Sequence, residues 1–226
     1  MRVLRGRLST PTADRCRSRE LVSTVRSTAE PALRVWQPPR HVAFGRRDAN
    51  SQGYSQAKRL LATRNIRFIE RSVGGHAVFF TGRTIAFLHA EPIADPRLGV
   101  TERYDSVLAD VRDALSELGV ETTRGEPAAA FCPGTHSLSH EGKIVGVAQR
   151  VRQDVAVVAG IVVVTDHEAI ASLLDELYPL LGLSFDPAAT GSIQRAGGKT
   201  RPGTVRRELE DALADESKTL EFLRDT

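Results

Sequence analysis

Residues 131–150 read Phe-Cys-Pro-Gly-Thr-His-Ser-Leu-Ser-His-Glu-Gly-Lys-Ile-Val-Gly-Val-Ala-Gln-Arg. Cys132 lies beside a Pro-Gly turn, and Lys143 follows a Glu-Gly turn eleven residues later. The residues after Lys143 become apolar, as expected of a strand that enters a sheet. A thiol and an amine on neighbouring strand ends could form a nucleophile–base pair. The stretch therefore predicts a sheet edge that carries a candidate reactive site.

The rest of the chain alternates between short strand-like and helix-like patterns. Strands are predicted at 33–36, 41–44, 67–71, 76–80, 84–90 and 155–164, and helices at 13–29, 54–63, 102–118, 166–181 and 204–224. The short turns between the three strands from 67 to 90 favour antiparallel pairing of neighbours. Thr165–Glu168 has the spacing of a helix-capping box. These patterns predict an α+β fold with a mixed, largely antiparallel sheet flanked by helices.

The predicted domain organisation has three parts. Residues 1–12 are expected to be a flexible N-terminal lead, and residues 13–185 a single α+β domain. Residues 186–226 are expected to form a loop followed by a C-terminal helical tail.

The composition indicates a globular protein of a reducing compartment. Of the 226 residues, 41% are hydrophobic and 26% are charged, with a formal net charge of +3. Two cysteines do not form a disulfide framework, and the first residues do not have the pattern of a signal peptide. The longest apolar run, 155–164, is too short to span a bilayer. We therefore expect a cytoplasmic protein without membrane contact.

Two residues of the opening stretch stand out as chemistry candidates. The chain uses arginine for nearly all its basic positions, and arginine cannot lose its proton as Lys143 can. A single cysteine is more often a small buried apolar residue than a nucleophile. Cys132 lies in a loop rather than on a periodic apolar face, which favours a reactive thiol. No function is inferred for Cys16, which lies among arginines on a weakly patterned helix.

A second candidate is the segment Arg71-Ser-Val-Gly-Gly-His-Ala77 between two predicted strands. Gly74 and Gly75 would let a ligand approach the backbone, whose N–H groups could face an acyl carbonyl or a phosphate. Arg71 could hold an anion there. A glycine-containing hairpin turn is the alternative, and the segment lacks the Gly-Lys-Ser/Thr sequence of a P-loop.

Metal and nucleic-acid binding are not favoured. His136 and His140 would point the same way on a strand but about 13 Å apart, and no acidic or cysteine cluster joins them. The basic residues at 46, 47, 58 and 59 are not interleaved with aromatic residues, as they would be in a protein that binds single-stranded nucleic acid. These basic residues fit a face for an acidic carrier protein equally well.

Three motifs resemble the lipoate–protein ligase and octanoyltransferase family, which shares its catalytic fold with biotin–protein ligases. They are Arg-Val-Trp-Gln-Pro-Pro with Val-Ala-Phe-Gly-Arg-Arg at 34–47, Arg-Ser-Val-Gly-Gly-His-Ala-Val at 71–78 and Gly-Lys-Ile-Val-Gly-Val-Ala-Gln-Arg at 142–150. The resemblance covers roughly residues 13–185 and implies a biotin/lipoyl protein ligase-like domain, related to class II synthetases. Phe-Cys-Pro-Gly at 131–134 makes the chain most similar to the cysteine-dependent octanoyl/lipoyl amidotransferases.

This resemblance implies a mechanism without cofactors. Cys132 would form a thioester with the acyl chain, while Lys143 would assist its deprotonation and polarise the acyl carbonyl. A lysine of a lipoyl domain, on an E2 subunit or the glycine-cleavage H protein, would then take the acyl group. An acyl-carrier protein is a further possible donor. The family motifs assign substrate binding to Arg71, Gly74, Gly75, His76, Ala77 and Gly146.

Two departures separate the chain from ligases that use ATP and Mg. His76 stands where those ligases usually have a third glycine, and the aromatic–His–Asp–x–Gly–Asn run that follows is replaced at 80–83. Val-Ala-Gly at 158–160 replaces their His-His-Gly segment. Three hypotheses follow: a transferase acting through Cys132, an ATP-dependent lipoate–protein ligase or its catalytic subunit acting through lipoyl-AMP, and a non-catalytic module that binds lipoyl or acyl carriers.

Overall fold

The structure is a computed structural model that describes residues 1–71, 74–152 and 154–223. Its α-helices are α1 (Pro11–Thr28), α2 (Arg46–Ala49), α3 (Tyr54–Thr63), α4 (Val100–Glu117), α5 (His167–Leu180) and α6 (Pro202–Leu213). Its strands are β1 (Arg2–Arg5), β2 (Ala32–Trp36), β3 (His41–Phe44), β4 (Phe68–Glu70), β5 (Val78–Phe80), β6 (Ile85–Pro92), β7 (Thr123–Arg124), β8 (Ser137–Ser139), β9 (Lys143–Val151), β10 (Val155–Val162) and β11 (Thr219–Phe222).

The strands form one large sheet and one small sheet. The large sheet has the order β11-β1-β2-β6-β10-β9-β8-β7, and the small sheet has the order β4-β3-β5. In the large sheet, β1 pairs in parallel with β11 and β2, and the other pairs are antiparallel. The predicted α+β class, with a largely antiparallel sheet, is confirmed.

Helices cover both faces of the large sheet. On one face, α4 and α6 pack in the largest apolar cluster, together with inward-facing residues of β2, β6, β9 and β10. On the other face, α1 packs against β2, β6 and β10. The small sheet packs with α3 and α5 in a further cluster. Among the described residues, no helix combines the length and the apolarity that a membrane span requires.

A buried ion pair fixes α1 to the sheet. Arg34 of β2 is fully buried, and its guanidinium donates to Asp14 of α1 at 2.6 Å and to Ser18 at 2.7 Å. The other oxygen of Asp14 accepts the indole N–H of Trp36 at 2.7 Å. Burial lowers the pKa of Arg34, while the Asp14 carboxylate opposes that change. The pair therefore orients α1 across the face of the sheet.

Two predictions for the chain ends are wrong. Residues 1–12 are not a loose lead, because Arg2–Arg5 form β1 between two strands of the large sheet. The predicted helix at 204–224 ends at Leu213, and Thr219–Phe222 form edge strand β11. Leu213 and Leu220 are seven residues apart, a spacing that also fits a helix, so leucine periodicity did not reveal the break. The domain boundary at 185 stays a prediction.

The predicted pairing of the strands from 67 to 90 is also wrong. The strands β4 and β5 both pair with β3, β4 in parallel and β5 antiparallel, whereas β6 joins the large sheet. Short connections favoured a meander, but α3 carries the chain from β3 to a parallel neighbour. The predicted capping box at Thr165–Glu168 is absent. Asp166 has φ 62° and makes no side-chain cap bond.

We expect Asp14→Ala to lower the free energy of unfolding by about 3–5 kcal/mol, because it leaves the Arg34 guanidinium buried without its counter-charge. Urea denaturation measures the loss. Glu20→Ala on the exposed side of α1 is the matched control, and we expect it to cost less than about 1 kcal/mol. A loss below about 1 kcal/mol for Asp14→Ala would contradict the role of the pair.

Candidate active site

A cavity of about 560 Å³ opens between the large sheet, α1 and the small sheet. The large sheet forms its floor, where side chains of neighbouring strands lie in register. One row contains Gly146, Ile161, Ala86 and Trp36, and the next contains Ala148, Ala159 and Leu88. Small and aliphatic residues dominate these rows, so the floor suits an extended apolar group.

Cys132 lies at the wall of this cavity in an unusual backbone conformation. Its φ is 43°, in the left-handed region that costs a residue with a side chain about 1–3 kcal/mol unless its surroundings hold it. Its N–H donates to the Tyr178 hydroxyl at 2.7 Å, and that hydroxyl donates to the Ala77 carbonyl at 2.8 Å. Burial raises the pKa of Tyr178 well above its ordinary value, so the phenol stays protonated. Tyr178 thus ties the cysteine loop to the 74–77 segment.

Two N–H donors point at the thiol of Cys132. The Arg71 guanidinium approaches Sγ at 3.2 Å, and the His76 backbone N–H approaches it at 3.3 Å. Arg71 also donates to the His76 carbonyl. Gly75 has φ 90°, and a Cβ at this position would lie 2.5 Å from Sγ. This wall therefore requires glycine, and both donors would stabilise negative charge on the sulfur.

The His76 side chain anchors the same segment to α2. Its Nδ1 lies 2.7 Å from an Asp48 oxygen, and the second Asp48 oxygen accepts the Gly45 N–H at 2.8 Å. Asp48 is buried. The imidazole is therefore oriented by a carboxylate that is itself fixed at the start of α2.

Lys143 is buried beneath the cysteine loop, with a relative exposure of 1%. Its ammonium donates to a Glu126 oxygen at 2.7 Å and to the carbonyls of Phe131 and Cys132 at 3.0 and 2.9 Å. These three acceptors match the three N–H donors of a charged ammonium. Among the described hydrogen bonds none joins Nζ to Sγ, so the expected contact of a base with the thiol is not present.

Glu126 binds both Lys143 and the loop that carries Cys132. One carboxylate oxygen accepts the Gly134 N–H at 2.7 Å, and the other accepts the Ser137 hydroxyl at 3.0 Å in addition to the Lys143 ammonium. The loop that carries Cys132 is thus held by one buried charge pair at its base.

Most residues predicted for the site meet at this cavity. Cys132, Lys143, Arg71, Gly74, Gly75 and Gly146 line it. A Cβ at Gly146 would lie 3.1 Å from Lys143 Cε, so the glycine makes room for the lysine side chain. His76 and Ala77 take part through their backbone. The His76 N–H donates to the Cys132 sulfur, and the Ala77 carbonyl accepts from the Tyr178 hydroxyl. Ser72 and Val73 of the same motif lie outside the described residues.

Three residues of the site were missed in the sequence. Tyr178 fits the apolar face of α5, where nothing marks its hydroxyl as functional. Asp48 follows Gly45 by three residues, a capping spacing that could have indicated its backbone contact. Glu126 lies in a loop without a pattern, and only the tertiary fold brings it to Lys143.

The two histidines considered as metal ligands have other roles. The His136 ring stacks on Tyr104 with centroids 3.5 Å apart, and His140 Nδ1 lies 2.8 Å from the Glu121 carbonyl. Within the described ranges, no group of three histidine, cysteine or acidic side chains has the arrangement of a metal site.

Comparison with known proteins identifies the domain. The family model of the lipoyl protein ligase A/B catalytic domain matches residues 17–178, well over half of the chain. An octanoyl-GcvH:protein N-octanoyltransferase of Geobacillus kaustophilus is 27% identical over 154 residues, which cover 67% of this chain and 54% of that protein. A lipoyl-GcvH:protein N-lipoyltransferase of Listeria monocytogenes is 22% identical over 156 residues, covering 68% and 56%. The matches span about half the length of these curated relatives.

Solved structures show the same fold at low sequence identity. A lipoate-protein ligase A bound with ATP superposes with a TM-score of 0.72 at 18% identity, covering 99% of this chain and 87% of that one. A bi-partite lipoate protein ligase from Thermoplasma acidophilum, studied with its E2 lipoyl domain, superposes with a TM-score of 0.68 at 18% identity, covering 99% and 86%. The fold is thus a known one, and the match of the family model over residues 17–178 shows that the chain belongs to the lipoyl protein ligase A/B catalytic domain family.

Proposed function

We propose that this protein is an acyltransferase that moves an octanoyl or lipoyl group through a thioester on Cys132 to a lysine of a lipoyl domain. The observation that carries the proposal is the Cys132 thiol at the wall of an apolar cavity, within hydrogen-bonding reach of Arg71 and the His76 N–H. The activities named for the two curated relatives support the same reaction type.

The proposed partners are lipoyl-domain proteins. The names of the curated relatives specify GcvH as the acyl donor, and we extend this to a glycine-cleavage H protein as donor or acceptor here. E2 lipoyl domains are proposed as acceptors and an acyl-carrier protein as an alternative donor. The reaction would take place in the cytoplasm without a cofactor, membrane or nucleic acid.

The first half-reaction acylates the enzyme. The Cys132 sulfur attacks the acyl carbonyl of the donor, and a C–S bond forms while the C–N bond to the donor lysine breaks. The thiol proton leaves with the released amine. Arg71 and the His76 N–H stabilise the sulfur charge before attack, because a thiolate is the reactive form of cysteine.

The second half-reaction releases the acyl group. The neutral amine of an acceptor lysine attacks the thioester carbonyl, and a C–N bond forms as the C–S bond breaks. One proton of that amine returns to sulfur, so the enzyme regains its starting state. The departing thiolate is again stabilised by the two donors on the 71–76 segment.

Lys143 acts in this scheme by position and charge. All three of its N–H donors are engaged by protein oxygens, so we replace the expected role of base with that of a buried cation that fixes the Cys132 carbonyl. The fixed carbonyl, together with the Tyr178 bond to the Cys132 N–H, keeps the residue in its left-handed conformation.

The lipoate–protein ligase reading is disfavoured by the same contacts. In a ligase that acts through lipoyl-AMP, Cys132 would be incidental, but here the His76 N–H faces the Cys132 sulfur and Gly75 lies against it. The structural neighbours include ligases, but at 18% identity they support the fold alone.

We expect Cys132→Ser to abolish a hydroxylamine-sensitive octanoyl adduct and to slow transfer to an apo lipoyl domain by at least roughly a thousandfold, because the thioester cannot form. Intact-protein mass spectrometry detects the adduct. Cys16→Ser is the matched control, since Cys16 is exposed and outside the cavity, and it should behave as wild type. ATP-dependent transfer of free octanoate that persists in Cys132→Ser would instead establish the ligase reading.

We expect Lys143→Met and Lys143→Arg each to slow adduct formation by at least about tenfold. Methionine leaves the Phe131 and Cys132 carbonyls without this donor and Glu126 without its counter-charge, and the planar guanidinium does not fit the site of a compact ammonium. Mass spectrometry of samples quenched at successive times measures the rate of adduct formation, and thermal denaturation confirms that each variant is folded. Lys199→Met is the control. The Lys199 ammonium donates to the exposed Glu117 carbonyl, and its loss should leave the rate of adduct formation unchanged. A wild-type rate in Lys143→Met would remove Lys143 from the mechanism.

We expect Arg71→Met to slow alkylation of Cys132 by iodoacetamide at neutral pH by about tenfold, because the thiolate loses its charged donor. Peptide mapping assigns the alkylated cysteine. Arg83→Met removes an equal charge from an exposed turn and should not change the rate. Equal alkylation rates in Arg71→Met and wild type would show that the 3.2 Å contact does not stabilise the thiolate.

A further inference from the structure

Four arginines border the cavity on the side away from Lys143. Arg15 and Arg19 are one helical turn apart on the cavity side of α1, and Arg150 and Arg152 lie at the end of β9. We call these four residues the basic rim. With a formal net charge of +3 for the whole chain, the rim concentrates the positive charge at one place.

Three of the rim arginines, Arg15, Arg19 and Arg152, form no ion pair with an acidic side chain in the described part of the chain. Asp154, which is close by, is bound by Arg26 at 2.9 Å. Glu70 accepts the Tyr54 hydroxyl at 2.8 Å, and its charge partly offsets the lowering of the Arg15 pKa.

Burial and neighbouring positive charges both lower the pKa of two rim arginines. Burial lowers the pKa of Arg15, and the charge of Arg19 lowers it further. Burial also lowers the pKa of Arg150, followed by the charges of Arg152, Arg46 and Arg19. Guanidinium groups crowded in this way gain from an anionic partner that separates them from one another.

The extent of the rim indicates the kind of partner. Two of the arginines come from α1 and two from the end of β9, so the rim presents two pairs of guanidinium groups from separate elements beside one cavity. Because guanidinium groups pair well with carboxylates, this arrangement matches a protein surface that carries several acidic side chains.

We propose that the basic rim is the docking surface for a carrier domain whose surface is acidic around its acylated lysine. This inference rests on the proposed function and specifies how the partner is recognised. The lysine arm would enter the cavity toward Cys132 while the body of the domain rests on α1 and the end of β9. Rim charges chiefly raise the association rate and its dependence on salt.

A two-step experiment separates docking from chemistry. The enzyme is first loaded at Cys132 with octanoyl-N-acetylcysteamine, an uncharged thioester that needs no docking surface. Transfer from the loaded enzyme to an apo lipoyl domain is then followed by mass spectrometry at several sodium chloride concentrations. The Arg19→Gln/Arg152→Gln double variant is compared with wild type and with Arg207→Gln, a control on α6 at the opposite face of the sheet.

We expect the double variant to load at the wild-type rate. Its second-order rate constant for transfer should fall roughly tenfold at low salt and depend less on salt, while the saturated rate is unchanged. Arg207→Gln should match wild type in every measurement. A wild-type salt dependence in the double variant would overturn the proposal.

The outcome remains decisive if the proposed chemistry fails. Without loading of Cys132, direct binding of the fluorescently labelled apo lipoyl domain is measured instead. Weaker binding by the double variant supports the docking surface, and equal binding overturns it. Loss of binding to a DNA duplex, with retained binding of the lipoyl domain, would also overturn the proposal, because it would assign the rim to nucleic acid.

Discussion

The buried ammonium of Lys143 is the constraint on which the site depends. A charge removed from water must be matched by acceptors, and here they are one carboxylate and two carbonyls of the cysteine loop. Satisfying this charge draws the loop onto β9 and fixes the Cys132 carbonyl. The strained backbone of Cys132 follows from that requirement, since the left-handed conformation persists only where surrounding contacts determine it.

The thiol is held between two segments that are fixed from different parts of the fold. Lys143 fixes the cysteine loop from the large sheet, while Asp48 fixes the His76 segment from α2. Tyr178 of α5 bonds to both, as acceptor from Cys132 and donor to Ala77. Because each anchor is buried and hydrogen-bonded, the donors to sulfur are preorganised, as electrostatic stabilisation of a reacting group requires.

The sequence was sufficient to predict the fold class and a set of site residues most of which line the cavity, because motifs with glycine, cysteine and lysine carry local signals. The edge of the sheet was not predictable in the same way. β1 and β11 are short, and the edge strand β11 forms by pairing with β1 across more than 200 residues of sequence. The contacts of Lys143 were not predictable for a related reason. Glu126 is 17 residues away in a patternless loop, and only tertiary structure shows that it engages the ammonium.

One fold serves both nucleotide-dependent ligases and proteins named as transferases, so the difference must lie in a few side chains. In this chain the sulfur of Cys132 lies against Gly75 and receives the N–H of His76. A segment whose open backbone could receive a phosphate is thereby directed at a thiol. Under the proposed function, the acyl group passes through the protein's own sulfur and no nucleotide is needed. A donor that is carried by a protein then has to dock beside the cavity, so the proposed basic rim at the mouth complements the thiol at the wall.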